Sequence, residues 1–319
     1  MKFLHAADIH LDSPLAGLRA RAEPLGEQLR HCTREAFKAM VDLAIAEEVA
    51  FVVIAGDLYD GDWKDFSTGL FFAAQMQRLG RPCFLLRGNH DAASQITKRL
   101  RLPPNVREFS SRRAETIALP ELGVALHGHS FPDREVPEDL AAGYPDPRPG
   151  LLNIGVLHTS ADDPGEHATY APCTVGRLRD KGYDYWALGH IHARRVLHER
   201  AWIVFPGNIQ GRHARETGPK GCTLVTVEDG RIAAVEHRSL DVLRWAAIEV
   251  DATGAGHDAL AERLGAAVQA ALATAEGRPL LARITLVGET PLHAELPDRL
   301  EELDAQGVAA AIEAGGRLW

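Results

Sequence analysis

Five apolar runs in the first 190 residues each stop at an acidic, amide or imidazole side chain. They are KFLHAADI (2–9), FVVIAGD (51–57), CFLL (83–86, followed by Arg87-Gly88-Asn89-His90-Asp91), LNIGVLH (152–158) and YWALGH (185–190). Each is short and continuous, as expected of a strand buried on both faces. Helical patterns lie between them. Residues 25–48 bring Leu29, Thr33, Phe37, Met40, Leu43 and Ala44 near one face, and 65–79 and 174–181 read similarly. A chain built this way is a layered α/β protein, and such layers put their chemistry on the loops at strand ends.

Residues 132–150 carry five prolines and read as an irregular loop. Strands are expected at 201–205, 222–228 and 231–238, the last two joined at Asp229-Gly230, a hairpin signal. Beyond 240 the pattern restarts on a smaller scale, with strands at 245–251 and 280–287 around an Ala-rich helix at 256–275. The expected division is therefore 1–240 and 241–319, which suits 319 residues at roughly 100–200 per domain.

A composition of 45% hydrophobic and 25% charged residues is that of an ordinary globular chain and excludes disordered or collagen-like classes. No run approaches ~18 apolar residues, and the opening MKFLHAADIH has His5 and Asp8 where a signal peptide needs apolar residues. The expectation is a cytoplasmic protein with no membrane association. Cys32, Cys83, Cys173 and Cys222 form no CxxC pair and read as reduced structural thiols.

The run ends supply five motifs in order: Asp8-Ile9-His10, Gly56-Asp57-Leu58-Tyr59-Asp60, Gly88-Asn89-His90-Asp91, His158, and Gly189-His190-Ile191-His192. Their mixed oxygen and nitrogen donors suit borderline divalent metals. In D-x-H and H-x-H, side chains two apart point the same way while the segment stays extended, so both reach one centre.

This series resembles the calcineurin-like metallophosphoesterases, with every motif intact from Asp8 to His192. The resemblance implies a two-sheet α/β/β/α sandwich followed by a small α/β capping domain. It also implies two divalent ions, manganese favoured, with iron, cobalt or zinc as alternatives. Asp8, His10 and His192 would bind the first, Asn89, His158 and His190 the second, and Asp57 both. His90 matches the non-ligand histidine that meets charge on the phosphoryl group or protonates the leaving oxygen, with Asp91 orienting it and fixing its tautomer.

The stretches FLHAADIHLDSPLAGL, GDLYDGDWKD and PGNIQGRHARETGPKG are most similar to the SbcD-like DNA nucleases, in particular the YhaO-type branch. That likeness implies a metal-dependent DNA exonuclease acting in repair with an SbcC-like SMC-type ATPase, and a homodimer. Protein serine/threonine phosphatases carry arginine after G-D-x-V-D, whereas Gly61 and Asp62 follow Asp60 here. The alternatives are a small-molecule or cyclic-nucleotide phosphodiesterase, or a non-catalytic scaffold, which would normally have lost a ligand.

Asp60, Asp62, His127 and His129 match no ligand position and read as supporting or surface groups. Basic residues cluster at 98–113 and again around the last motif, from Arg194 to Lys220. From these, Arg99, Arg101, Arg212 and His213 are candidate DNA contacts, with Trp63 as a stacking group. The net charge of −9 weighs against a nucleic-acid partner. Its distribution changes that: residues 241–319 hold 13 acidic and 6 basic side chains, while 1–240 hold 31 and 29. Two bound divalent cations would leave the first part slightly positive.

Overall fold

The computed structural model describes residues 1–13, 26–61, 65–94, 101–162 and 170–313. One six-stranded sheet has the order β12-β11-β1-β2-β3-β4. Its strands are β1 (Lys2–Ala6), β2 (Phe51–Ala55), β3 (Cys83–Leu86), β4 (Val106–Glu108), β11 (Gly221–Glu228) and β12 (Arg231–Ser239). The second has the order β5-β6-β7-β8-β10-β9. It holds β5 (Glu115–Leu119), β6 (Val124–Gly128), β7 (Leu152–His158), β8 (Tyr185–Gly189), β9 (Arg195–His198) and β10 (Trp202–Phe205). The centre of each sheet is parallel: β1-β2-β3-β4 in one, β6-β7-β8-β10 in the other.

Alternation along each buried strand builds three layers of core. Phe51, Val53 and Ala55 of β2 meet Ile154, Val156, Tyr185 and Ala187 between the sheets. Val52 and Ile54 face the other way, onto Phe37 and Met40 of α1 (Gly26–Ala46) and Phe72 and Met76 of α2 (Phe66–Leu79). Trp186 and Leu188 of β8 likewise turn outward, onto Leu178, after the short helix α3 (Asn89–Ala93), in α4 (Val175–Asp180). This is the expected α/β/β/α sandwich. The hairpin signal also holds: Asp229 and Gly230 have φ of 49° and 72° and join β11 to β12.

The chain divides into two compact units. Among the described residues, the first comprises 1–13, 30–61, 65–94, 101–162, 170–210 and 220–241, and the second gathers 26–29 and 211–219 with 242–313. In the second, β13 (Arg244–Asp251) pairs in parallel with β14 (Leu280–Val287), and α5 (His257–Thr274) and α6 (Leu300–Glu313) complete a small core around Ile248, Leu260, Leu264 and Val268. Among the described residues, no helix is long and apolar enough to cross a membrane.

Candidate metal centre

The C-terminal ends of β1, β2, β3, β7 and β8 meet at one edge of the sandwich, and each delivers part of one cluster. Asp8 and His10 follow β1, Asp57 follows β2, Asn89 and His90 follow β3, His158 ends β7, and His190 and His192 follow β8. Asp8, His10, Asp57, Asn89, His158 and His190 are all buried. The backbone there is held in an unusual state. Asp8, His10, Asp57 and His190 have φ of 51°, 44°, 52° and 105°, conformations that cost on the order of 1–3 kcal/mol each in a non-glycine residue. The two sheets also approach closely: His158 Nδ1 donates to the Ala55 carbonyl at 2.9 Å, and a Cβ on Gly189 would collide with that same oxygen.

The side chains converge. His10 Nε2 lies 3.3 Å from His192 Nε2, and both gather with Asp8 within 4.8 Å. Asp57 Oδ2 sits between two imidazoles, 3.8 Å from His10 Nε2 and 3.5 Å from His158 Nε2. His158 Nε2 also lies 3.1 Å from Asn89 Oδ1, and the His190 ring packs edge-on against His158 at 5.2 Å. All seven residues expected as ligands are thus brought together.

This donor set fits divalent metal. Two buried carboxylates, one amide oxygen and four imidazoles face each other, and two imidazole nitrogens at 3.3 Å need a proton or cation between them. The electrostatics agree. Burial pushes Asp8 up. Burial would also raise Asp57, but His158, His10 and His90 reverse this and hold it well below the usual carboxylate range. Burial would lower His158, yet Asp57 and Asp8 bring it up to about 9.

One expected role is corrected. Asp91 does not orient His90. Its buried carboxylate accepts from the backbone amides of Leu58 (3.1 Å), Tyr59 (2.9 Å) and Gly88 (3.2 Å), tying the loop after β2 to the start of α3. Burial and the charge of Asp57 push it up to about 7. A carboxylate that does face His90 is that of Asp60, whose Oδ1 accepts from Nδ1 at 2.9 Å. The signal was in the sequence: Gly88-x-x-Asp91 places an acid at the third helical position, where it reaches back to the capping amide.

Among the candidate DNA contacts, Trp63 and Arg99 lie outside the described residues. Arg101 is exposed. Arg212 and His213 belong to the second unit, where buried Glu216 lies 3.8 Å and 3.3 Å from their side chains. Lys220, counted with the basic cluster, is instead buried, and its Nζ donates to the His192 carbonyl at 2.9 Å. His127 is buried against Tyr183, bonded to Thr116 and Asn153.

The family profile described as calcineurin-like phosphoesterase matches residues 1–194, and that described as metallophosphoesterase YhaO, middle domain, matches 245–319. The chain is 35% identical to the metallophosphoesterase YhaO of Bacillus subtilis (strain 168), over 91% of this chain and 72% of that protein. It is 27% identical to the DNA double-strand break repair protein Mre11 of Methanopyrus kandleri, over 72% of this chain and 51% of that protein. For the protein of the same name from Haloferax volcanii the identity is 25%, over 79% and 55%. The chain therefore spans only about half the length of the Mre11 proteins it matches.

Proposed function

The chain belongs to the calcineurin-like phosphoesterase family, in its YhaO-type branch, and from that premise we propose that it is a metal-dependent phosphodiesterase that degrades DNA as an exonuclease. The observation that carries the reading is the convergence of Asp8, His10, Asp57, Asn89, His158, His190 and His192 from both sheets at one edge. Similarity to proteins named for DNA double-strand break repair supports DNA as the substrate.

Asp8, His10 and His192 would hold one divalent ion, Asn89, His158 and His190 the other, and Asp57 both. Manganese is the favoured metal. When bound, the ions supply an activated water and neutralise charge on the phosphoryl oxygens. The chain's own contribution is proton control. Asp60 accepts the Nδ1 proton of His90, and in the imidazolium form the ring's second proton, on Nε2, passes to the departing oxygen, leaving the neutral imidazole with its proton on Nδ1. The His90 side chain is 32% exposed, so a substrate can reach it. Residues 1–240 act as the nuclease domain and 241–319 as the cap. The partnership with an SbcC-like ATPase rests on the motif resemblance.

Protein purified with manganese should contain the metal and degrade linear duplex DNA, and both Asp57→Ala and His90→Ala should abolish the degradation. Degradation that persists in both variants would sink the assignment. Turnover of cyclic nucleotides that DNA does not compete with would move it to the small-molecule phosphodiesterases.

A further inference from the structure

We propose that Ser13 is a positioning residue for the Asp60–His90 pair, a role that rests on the phosphodiesterase reading above. The loops after β1 and β2 run side by side. The Asp8 amide donates to Gly56 O at 3.0 Å, His10 to Asp57 O at 3.0 Å and Leu11 to Leu58 O at 2.9 Å, and Leu11 pairs with Tyr59. One step further, side chains take over. Ser13 Oγ donates to Asp60 Oδ2 at 2.7 Å, while Asp60 Oδ1 accepts from His90 Nδ1 at 2.9 Å. Each oxygen of this carboxylate has its own donor, so its plane is fixed, and with it the direction from which it holds the imidazole. That matters because the Asp60 and His90 side chains are 21% and 32% exposed, and water competes for both.

Ser13 can impose this order because its own turn is locked. Its amide donates to His10 O at 2.9 Å, and the preceding Asp12 has φ 62°. The buried Asp12 carboxylate takes Arg34 Nε at 2.7 Å, Arg34 Nη2 at 2.5 Å and Thr68 Oγ1 at 2.5 Å, and its amide donates to Thr33 Oγ1 at 3.0 Å. Helices α1 and α2 thereby pin Asp12, and the next residue is delivered to Asp60.

Two measurements test the role in the full chain. In manganese-loaded protein, Ser13→Ala should lower kcat about tenfold on methyl phenyl phosphate, less on methyl p-nitrophenyl phosphate whose leaving group needs little help, with KM unchanged. Ser13→Thr, which keeps the hydroxyl, should restore the rate. An equal loss on both esters, no loss, or a threonine variant no better than alanine overturns the proposal. In metal-free protein, at a pH where the ring is neutral, side-chain 15N spectra should show His90 protonated on Nδ1 in the wild type and mixed between tautomers in Ser13→Ala. Identical spectra overturn it. Should the wild type hydrolyse neither ester, the phosphodiesterase reading fails, and the spectra still decide the role of Ser13.

Discussion

Alanine at Asp91 and alanine at Asp60 should fail in opposite ways. Asp91 is 2% exposed and holds three backbone amides at 2.9–3.2 Å. Its removal leaves those amides without an acceptor, at roughly 1–3 kcal/mol each. Water entering the small void recovers part of this, as does the loss of a carboxyl that burial and Asp57 push up to about 7. A net loss of about 3–5 kcal/mol follows, which for a unit of this size lowers the melting temperature on the order of 10 °C. Asp60, at 21% side-chain exposure, has water available to replace it. Asp60→Ala should melt within about 2 °C of wild type yet lose roughly 10²-fold in kcat, the lower range for a positioned acid. Circular-dichroism melts at pH 8 with turnover of an aryl phosphodiester give both numbers. The reasoning is refuted if Asp91→Ala keeps the wild-type melting temperature while losing as much kcat as Asp60→Ala, because Asp91 would then be the residue that serves His90.

Three other outcomes follow from the same structure. His158 is raised to about 9 by Asp57 and Asp8, against its burial, and must give up a proton to bind metal. Manganese affinity should therefore rise about tenfold per pH unit from this group up to that value. Calorimetry in buffers of different ionisation enthalpy at neutral pH counts the proton, and a count of zero rejects the ion pair. Burial lowers His5 to about 3, so the folded state resists its protonation: its contribution is complete above the unfolded value near 6.5 and is lost as pH falls toward 3, by about 1.4 kcal/mol per unit. His5→Gln should flatten the acid limb of stability against pH by one proton in chemical denaturation, and an unchanged slope counts against a buried neutral imidazole. Lys220→Met removes the shorter of two hydrogen bonds to the His192 carbonyl, leaving the Asn208 amide at 3.3 Å, and should weaken manganese binding about tenfold, as loss of outer support for a ligand does. Competition with a chromogenic chelator measures this, and wild-type affinity would show that the carbonyl needs no such support.

What the sequence revealed follows from burial. Strands β2, β3, β7 and β8 are covered on both faces, so their apolar runs are uninterrupted and legible. β6 is buried throughout but escapes the sequence reading, because its apolar run over 124–126 is only three residues long before His127 and Gly128. β9 is only partly buried throughout, and β5 is buried at Ile117 alone, so neither carries a continuous run. The seven expected ligands were legible because they sit immediately at strand ends, where chain order and spatial order coincide. The orienting role was misassigned because adjacency in sequence misleads once a helix begins: the first turn of α3 carries Asp91 back toward Gly88. Asp60, distant in the chain, arrives beside His90 because the loops after β2 and β3 lie next to each other. Lys220 shows the limit of counting charges, since composition cannot distinguish a lysine at the surface from one turned inward to a carbonyl.

The close approach at the Ala55 carbonyl has a mechanical consequence. Asp8, His10, Asp57 and Asn89 come from one sheet, while His158, His190 and His192 come from the other. A metal held by these residues would clasp the seam of the sandwich, whose interior is filled by apolar rings such as Phe3, Phe51 and Phe84. Loading the centre should therefore slow the parting of the two sheets along the whole length of β2 and β7. Amide exchange at Val52 and Ile154, several residues from any donor, would register occupancy as faithfully as the ligands themselves, so that a substitution deep in the apolar seam is felt first as a leaking metal site.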